Sequence, residues 1–369
     1  MSRLQGDGPR PRPALDSVAR YVPQPPKAPA GVLPHRLFLN ENPYPPLPSV
    51  LAVINDAATG INRYPDIEPT TLIAALARRH SCHTDDILTG PGTMGIYQQI
   101  AQAMLRPGDD IVYAWPSFEA FPIVAAIAGC TTREVPLRDH HHDLQAIAEA
   151  IGERTRAVFV CNPNNPTGTL IPGDDLQAFL EQIPDDVLVL IDEAYAEFVP
   201  DHQGPSGLDL YRRFRNVVVL RTFSKAYGLA GLRVGYGLAH PTLAGAFRKC
   251  AVPCGVSTIA IAAALRSLEA EDELFERVRH VIDARDRLGA ELSHMGLRVP
   301  TSAANFLWID IGAHAAELGT QIESSGILAR VVPDHGIRLT IGDKRANTDA
   351  EWALGGALAT SETWGRSFY

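Results

Sequence analysis

Short, wholly apolar runs recur through the middle of the chain: Ile111–Tyr113, Ala157–Cys161, Val187–Ile191 and Val217–Leu220. Runs of this length, with no polar residue at alternate positions, predict strands buried on both faces of a sheet. The segments between them are long enough to hold helices. Helical spacing is visible in Thr71–Arg79 and again in Ile96–Met104, the latter behind a strand candidate at Ile87–Thr89. Alternation of this kind predicts an α/β fold with a mostly parallel sheet covered by helices. Beyond residue 250 the pattern changes. Helical stretches at Ile259–Leu268 and Leu274–Leu292 precede strand candidates at Phe306–Ile309 and Ile337–Ile341, which predicts a smaller α+β domain. The expected division is a proline-rich arm over residues 1–35, a large domain over 36–250 whose first residues can join the smaller one, and a small domain over 251–369. An arm of that length leaves no room for a DNA-binding domain. No internal repeat is visible.

Composition narrows the functional classes. With 369 residues, 46% of them hydrophobic, the chain can bury a large core. Its net charge of -9 argues against a nucleic-acid footprint. No apolar run reaches the roughly 20 residues of a membrane span, and the first 30 residues hold no apolar signal core, so a soluble, cytoplasmic protein is expected. The cysteines at 82, 130, 161, 250 and 254 are scattered without a Cys-x-x-Cys pair, which speaks against a disulfide framework or structural zinc. His140-His141-His142 lies between Pro136 and Asp143, where a turn leading into a capped helix fits better than a metal tract.

The candidate chemistry lies where the buried runs stop. Ala157–Cys161 leads into Asn162-Pro-Asn-Asn-Pro-Thr-Gly168, Val187–Ile191 into Asp192-Glu-Ala-Tyr195, and Val217–Leu220 into Arg221-Thr-Phe-Ser-Lys-Ala-Tyr-Gly-Leu-Ala-Gly-Leu-Arg233. Ligands of open α/β sheets sit beyond the carboxyl ends of the strands, so Asn165, Asp192 and Lys225 predict one crevice drawn from distant segments. Lys225 beside the hydroxyls of Thr222 and Ser224 and the cation Arg233 suits a Schiff base to a phosphorylated aldehyde cofactor. Gly90-Pro-Gly-Thr-Met-Gly95 opens a helix, and its backbone N–H groups suit a phosphate there. Gly92, Thr93 and Met94 belong to this loop, and Arg233 with the hydroxyls of Thr93, Thr222 and Ser224 completes a phosphate cup. Asp192 has two readings, a cap after a strand or the partner of a protonated pyridine nitrogen. Asn165 and Tyr195 suit donors to a phenolate oxygen. Phe118, in Trp115-Pro-Ser-Phe118, is either a core aromatic or a residue stacked on the cofactor ring.

The order of these motifs resembles the class I/II pyridoxal-phosphate aminotransferases of fold type I. It is most similar to the histidinol-phosphate aminotransferase family, which also contains aromatic amino acid aminotransferases. The resemblance runs from Leu39-Asn-Glu-Asn-Pro-Tyr44 and Arg63-Tyr-Pro-Asp66 to Ile337-Arg-Leu-Thr-Ile-Gly342. It implies pyridoxal 5'-phosphate as cofactor, Lys225 as its covalent anchor and the proton shuttle, Asp192 as the pyridinium partner, Asn165 and Tyr195 as phenolate donors, and Phe118 as the stacking residue. It also implies a homodimer in which Tyr64 reaches the neighbouring subunit's phosphate. Arg338 would bind the substrate carboxylate or a histidinol phosphate, with Tyr44, Asn305 and Arg330 lining the substrate end; for Arg330 a surface ion pair is the competing reading. The partners implied are an amine and a 2-oxo acid, 2-oxoglutarate being the expected acceptor.

Substrate choice divides the motifs. Met94 and Gly95 stand where histidinol-phosphate enzymes carry an acidic pair, and Trp115-Pro-Ser-Phe118 replaces their more usual Pro-Thr-Tyr. Both departures favour an aromatic amino acid, phenylalanine-like; Tyr44 favours histidinol phosphate. A decarboxylase or lyase built on the same lysine, and an aminotransferase of a specialised pathway, are the alternatives.

Overall fold

The computed structural model describes Arg12, Leu15, Gly31 and residues 33–201 and 203–360. Most of the expected proline-rich arm, and with it the question of whether the arm covers the site, lies outside the described residues. The strands are β1 (His35–Leu37), β2 (Ile87–Gly90), β3 (Asp110–Trp115), β4 (Thr131–Pro136), β5 (Thr155–Cys161) and β6 (Leu188–Asp192). They continue with β7 (Val217–Thr222), β8 (Gly235–Ala239), β9 (Phe306–Asp310), β10 (Ile327–Val332) and β11 (Gly336–Thr340).

A seven-stranded sheet has the order β2-β8-β7-β6-β5-β3-β4. Only β8 runs against the others, pairing antiparallel with both β2 and β7. The apolar runs of the sequence are its inner strands, and each strand's alternate residues enter two different cores. Val158, Val160, Val189, Ile191, Val217 and Val219 pack on one face. Ala157, Phe159, Leu188, Leu190, Val218 and Leu220 pack on the other. Burial on both faces is why these strands carry no polar alternation.

Two members of this sheet carry no such signal. β4 is an edge strand, largely exposed, with the polar sequence Thr-Thr-Arg-Glu-Val-Pro. β8 contains glycines because it runs close to its neighbour: a Cβ at Gly237 would lie 2.7 Å from the Leu220 side chain and 3.0 Å from the Val219 carbonyl oxygen. A Gly-Tyr-Gly stretch reads as a loop until the contact that needs it is known.

A second, four-stranded sheet has the order β1-β10-β11-β9. Its first strand comes from residues 35–37, paired parallel with β10 across nearly the whole length of the chain. The long helix Glu271–His294 lies against it, burying Leu274, Val278, Val281, Leu288 and Leu292 at helical spacing. The His140–His142 segment forms the expected turn. Arg138 and His141 bridge, Asp139 and His140 take left-handed φ values of 45° and 68°, and Asp143 caps the helix Leu144–Glu149 by accepting the Ala146 N–H at 3.1 Å. Among the described residues no helix is long and apolar enough to cross a membrane.

Candidate active site

The adjacent strands β5, β6 and β7 end side by side, with Cys161 opposite Asp192 and Asp192 opposite Leu220. Their polar extensions therefore emerge at one edge of the sheet. Asp192 is 2% exposed, accepts from the Tyr97 hydroxyl at 2.6 Å and from the Ala194 N–H at 3.0 Å, and is pushed up to about 6. Burial is the largest cause; the Tyr97 hydrogen bond opposes it. The Lys225 Nζ donates to the Leu39 carbonyl oxygen at 2.9 Å and lies 5.9 Å from the centre of the Tyr195 ring. Desolvation, reinforced by the Arg338 guanidinium, lowers its pKa to about 7. A buried carboxyl with a raised pKa and an amine with a lowered one are the perturbed pair expected of a reacting centre rather than of a structural ion pair.

Arg338, on β11, closes the site from the four-stranded sheet. Its guanidinium donates to the Asn165 side-chain oxygen and, at 2.6 Å, to the Phe38 carbonyl oxygen, and it lies 5.5 Å from the Phe306 ring centre. The segment Phe38–Asn42 threads between the two sheets. Asn40 donates to the Tyr195 hydroxyl oxygen at 2.9 Å, its Oδ1 accepts from the Thr340 hydroxyl at 3.1 Å, and its carbonyl accepts from Asn305 Nδ2 at 3.1 Å. The Asn305 Oδ1 is buried without a hydrogen-bond partner among the described residues. Asn42 holds the lysine's own backbone, donating to the Lys225 carbonyl at 3.2 Å and the Ala226 carbonyl at 2.8 Å.

The residues expected to form a phosphate cup come from the helix Gly92–Met104 and the turn after β7. That helix has no side-chain cap, so its first N–H groups are available to an anion. Gly92 has a φ of 71°, and a Cβ there would strike the Arg233 guanidinium. Gly235 brings β8 against the same turn: a Cβ there would lie 2.8 Å from the Thr93 nitrogen. Arg233 Nη1 donates to the Ala230 carbonyl at 2.7 Å and reaches the Ser224 hydroxyl at 3.5 Å, while the Thr222 hydroxyl accepts the Ser224 N–H at 3.0 Å. A cradle lined by N–H groups, hydroxyls and a guanidinium, with glycines where a side chain would fill it, fits the phosphate of pyridoxal phosphate. A buried carboxylate whose recorded donors are a phenol and an amide fits its ring nitrogen.

Other expected residues are placed differently. Phe118 lies 6.2 Å from Tyr97 and 5.7 Å from Phe121, half-buried at the rim of an aromatic cluster. The Met94 side chain packs into that same apolar cluster, which leaves its backbone N–H for the cup. Tyr44 stacks under Arg277 at 5.8 Å and lines a cavity of about 500 Å³ with His280, Arg287 and Lys344. Arg330 pairs with Glu119 at 2.6 Å. Tyr64 is 91% exposed, outside this network within a single chain.

Sequence reasoning passed over Tyr97, Asn40 and Glu119. Tyr97 carried a signal: it lies four residues beyond Thr93 on a helix, hence on the same face as the phosphate loop. Asn40 lies inside the Leu39–Tyr44 motif, but nothing in the sequence joined it to Tyr195, and Glu119 carried no signal, since the partners of both are remote in the chain.

The family model described as aminotransferase class I and II matches residues 36–347. The chain therefore belongs to the class I and II aminotransferases, and it adopts their fold type I architecture. It is 47% identical over 340 residues to an aromatic amino acid aminotransferase of Streptomyces coelicolor, covering 92% of this chain and 95% of that protein. An aromatic amino acid aminotransferase of Thermobifida fusca is 47% identical over 331 residues, covering 90% of this chain and 92% of that protein. Among solved structures, the histidinol-phosphate aminotransferase of Sinorhizobium meliloti in complex with pyridoxal-5'-phosphate matches with a TM-score of 0.87 at 32% identity, covering 95% of this chain and 98% of that one.

Proposed function

We propose that this aminotransferase uses pyridoxal phosphate to move the amino group of an aromatic L-amino acid, phenylalanine-like, to a 2-oxo acid such as 2-oxoglutarate. The observation that carries the reading is the meeting of Lys225, Asp192 and Arg338 around one crevice, with the amine lowered to about 7 and the carboxyl raised to about 6. Bound there, the cofactor supplies a protonated pyridine ring that accepts the electron pair released at the substrate's α-carbon. Asp192 holds the proton on the ring nitrogen. Lys225, whose amine is neutral above about pH 7, takes the α-proton and returns it. Arg338 holds the substrate carboxylate, for which a guanidinium fork is well shaped. Asn165 and Tyr195 would donate to the cofactor's phenolate oxygen, Phe118 would cover its ring, and the cup of Gly92, Thr93, Met94, Thr222, Ser224 and Arg233 would hold its phosphate.

Similarity to aromatic amino acid aminotransferases at 47% identity supports the substrate class, as do Met94 and Phe118. The second reading, histidinol phosphate, is favoured by Tyr44 and by the likeness to the Sinorhizobium meliloti enzyme. Absorbance of the loaded protein, mixed with either L-phenylalanine or L-histidinol phosphate and no keto acid, separates the two. Rapid spectral conversion of the cofactor by phenylalanine alone is expected; conversion by histidinol phosphate alone overturns the assignment.

The seven-stranded sheet is taken as the body of a large domain over residues 36–250, with residues 251–369 forming the smaller one, which the first residues of the 36–250 segment join through β1. A homodimer is part of the same proposal. Tyr64 belongs to an exposed apolar face with Ile61, Ile67 and Val252, and the Cys254 N–H, donating to the Ile67 carbonyl at 3.2 Å, ties the two segments together. A face of this kind suits a second copy, across which Tyr64 would reach the phosphate. The cysteines, all unpaired, support a cytoplasmic setting.

A further inference from the structure

Asn40 is 1% exposed and has a left-handed φ of 55°. Asparagine enters that region more readily than most residues, but glycine enters it more easily still, so the backbone alone does not account for the side chain. The segment meets the site at three successive residues. The Phe38 carbonyl accepts from Arg338 at 2.6 Å, the Leu39 carbonyl accepts from the Lys225 Nζ at 2.9 Å, and the Asn40 Nδ2 donates to the Tyr195 hydroxyl oxygen at 2.9 Å.

Which end of an amide faces a phenol decides what the phenol can do next. The Thr340 hydroxyl oxygen accepts the Asn40 backbone N–H at 3.0 Å and donates its one hydrogen to the Asn40 Oδ1 at 3.1 Å. With the amide turned the other way, this hydroxyl would face two donors and lose the acceptor for its own hydrogen, in a residue only 2% exposed. Thr340 on β11 thus keeps Oδ1 on its own side and turns Nδ2 toward Tyr195. The Asn40 carbonyl accepts from the Asn305 Nδ2 at 3.1 Å, which holds the backbone from a second segment. Tyr195 accepts in its contact with Asn40 and so keeps its single hydrogen for another acceptor. Burial raises the pKa of this hydroxyl, so the hydrogen stays on it through the neutral range. Arg338, Cys161 and Asp192 act on the same hydroxyl, and the Lys225 amine lies 5.9 Å from the ring centre.

We propose that Asn40 is a positioning residue: locked by Thr340 with its amide nitrogen toward Tyr195, it occupies the Tyr195 oxygen as a donor and leaves the Tyr195 hydrogen to the cofactor's phenolate oxygen. This rests on the reading of Tyr195 as a phenolate donor. The proton on the imine that joins Lys225 to the cofactor is shared with that phenolate oxygen. A donor to the oxygen draws charge from it, weakens its hold on the proton, and lowers the pH at which the proton leaves. An acceptor at position 40 would take the Tyr195 hydrogen for itself, and the imine proton would then be held to higher pH.

The test uses the full-length, cofactor-loaded enzyme at rest, without substrate. It reads the pH midpoint of the cofactor's absorbance change in wild type, Asn40→Asp, Tyr195→Phe and the double variant. Asn40→Asp keeps the size of the side chain and replaces the donor by a carboxylate that only accepts. A hydrogen bond to a charged oxygen corresponds to about one to two pH units, so Tyr195→Phe should raise the midpoint by about one unit or more. Asn40→Asp should raise it by about one unit more with Tyr195 present than in the Tyr195→Phe background. The added negative charge acts in both backgrounds, as do Arg338, Asp192 and Lys225, so the difference isolates the path through Tyr195. A difference below about 0.5 unit means that Asn40 only packs the site, and it overturns the proposal. Thr340→Val adds no charge and frees the amide to turn. It should raise the midpoint by about 0.5 unit or more with Tyr195 present and leave it unmoved in the Tyr195→Phe background, and it decides the question by that criterion where Asn40→Asp does not fold. A midpoint unmoved by Tyr195→Phe alone overturns the phenolate reading beneath the proposal, and this is read before any change at Asn40 is compared.

Discussion

Replacing Asp192 by Asn should stabilise the cofactor-free protein at neutral pH while weakening its hold on pyridoxal phosphate. The carboxyl is 2% exposed and its pKa rises from 3.8 to about 6, burial being the largest cause. A raised value means that the folded chain holds this proton more tightly than the unfolded chain does. The contribution to stability is therefore lost as pH rises from 3.8 through 6. Over that interval, at about 1.4 kcal/mol per pH unit, the destabilisation reaches about 3 kcal/mol and stays there above pH 6. Asparagine removes the charge and keeps the shape: its amide can accept the Ala194 N–H and donate to the Tyr97 oxygen. Urea unfolding of wild type and Asp192→Asn, both without cofactor, should show the variant more stable by about 3 kcal/mol at pH 8, with the gap closing toward pH 4. Equilibrium dialysis should show the variant binding pyridoxal phosphate less tightly, because the ring proton has lost its partner. A gap that does not change with pH, or a variant no more stable at pH 8, would refute the account of Asp192 as a carboxylate held at a cost for a cationic ligand.

Three further outcomes test the rest of the site. Lys225→Ala should leave no cofactor fixed to the chain after borohydride reduction, and in the wild-type apo-protein the rate of covalent capture should rise with pH around a midpoint near 7, since only the neutral amine attacks; a midpoint near the 10.5 of ordinary lysine contradicts the desolvated environment. Tyr97→Phe removes a hydrogen bond to a buried carboxylate, worth about 1.5–3 kcal/mol. Affinity for pyridoxal phosphate should fall about tenfold or more, and an unchanged dissociation constant would detach Tyr97 from the site. Gly92→Ala places a methyl group against the Arg233 guanidinium at a φ of 71°. It should weaken pyridoxal phosphate by about tenfold or more yet leave unphosphorylated pyridoxal nearly unaffected, and equal losses for both ligands would count against the cup.

Much of the architecture was legible in the chain. Val217–Leu220 and its companions announced a doubly covered sheet because burial on both faces removes every polar residue from a strand, a local consequence of a global fact. The convergence of Asn165, Asp192 and Lys225 on one edge of the sheet was likewise expected from the sequence, since each lies at the end of such a strand or within four residues of it, and in an open α/β sheet the strand ends are where ligands lie. Tertiary packing alone decided what these groups touch. Asn40 meets Tyr195, Arg338 meets Asn165 and Phe38, and Glu119 meets Arg330 across separations of 155, 173, 300 and 211 residues. No spacing rule spans such distances, because each contact depends on how the second sheet rests against the first. The same is true of Gly237 in β8, whose meaning is a close approach to Leu220, and of the pKa values of Lys225 and Asp192. A lysine or an aspartate carries its ordinary acidity in the sequence; it is the exclusion of water by the folded chain, and the charges brought near by folding, that move both toward neutrality.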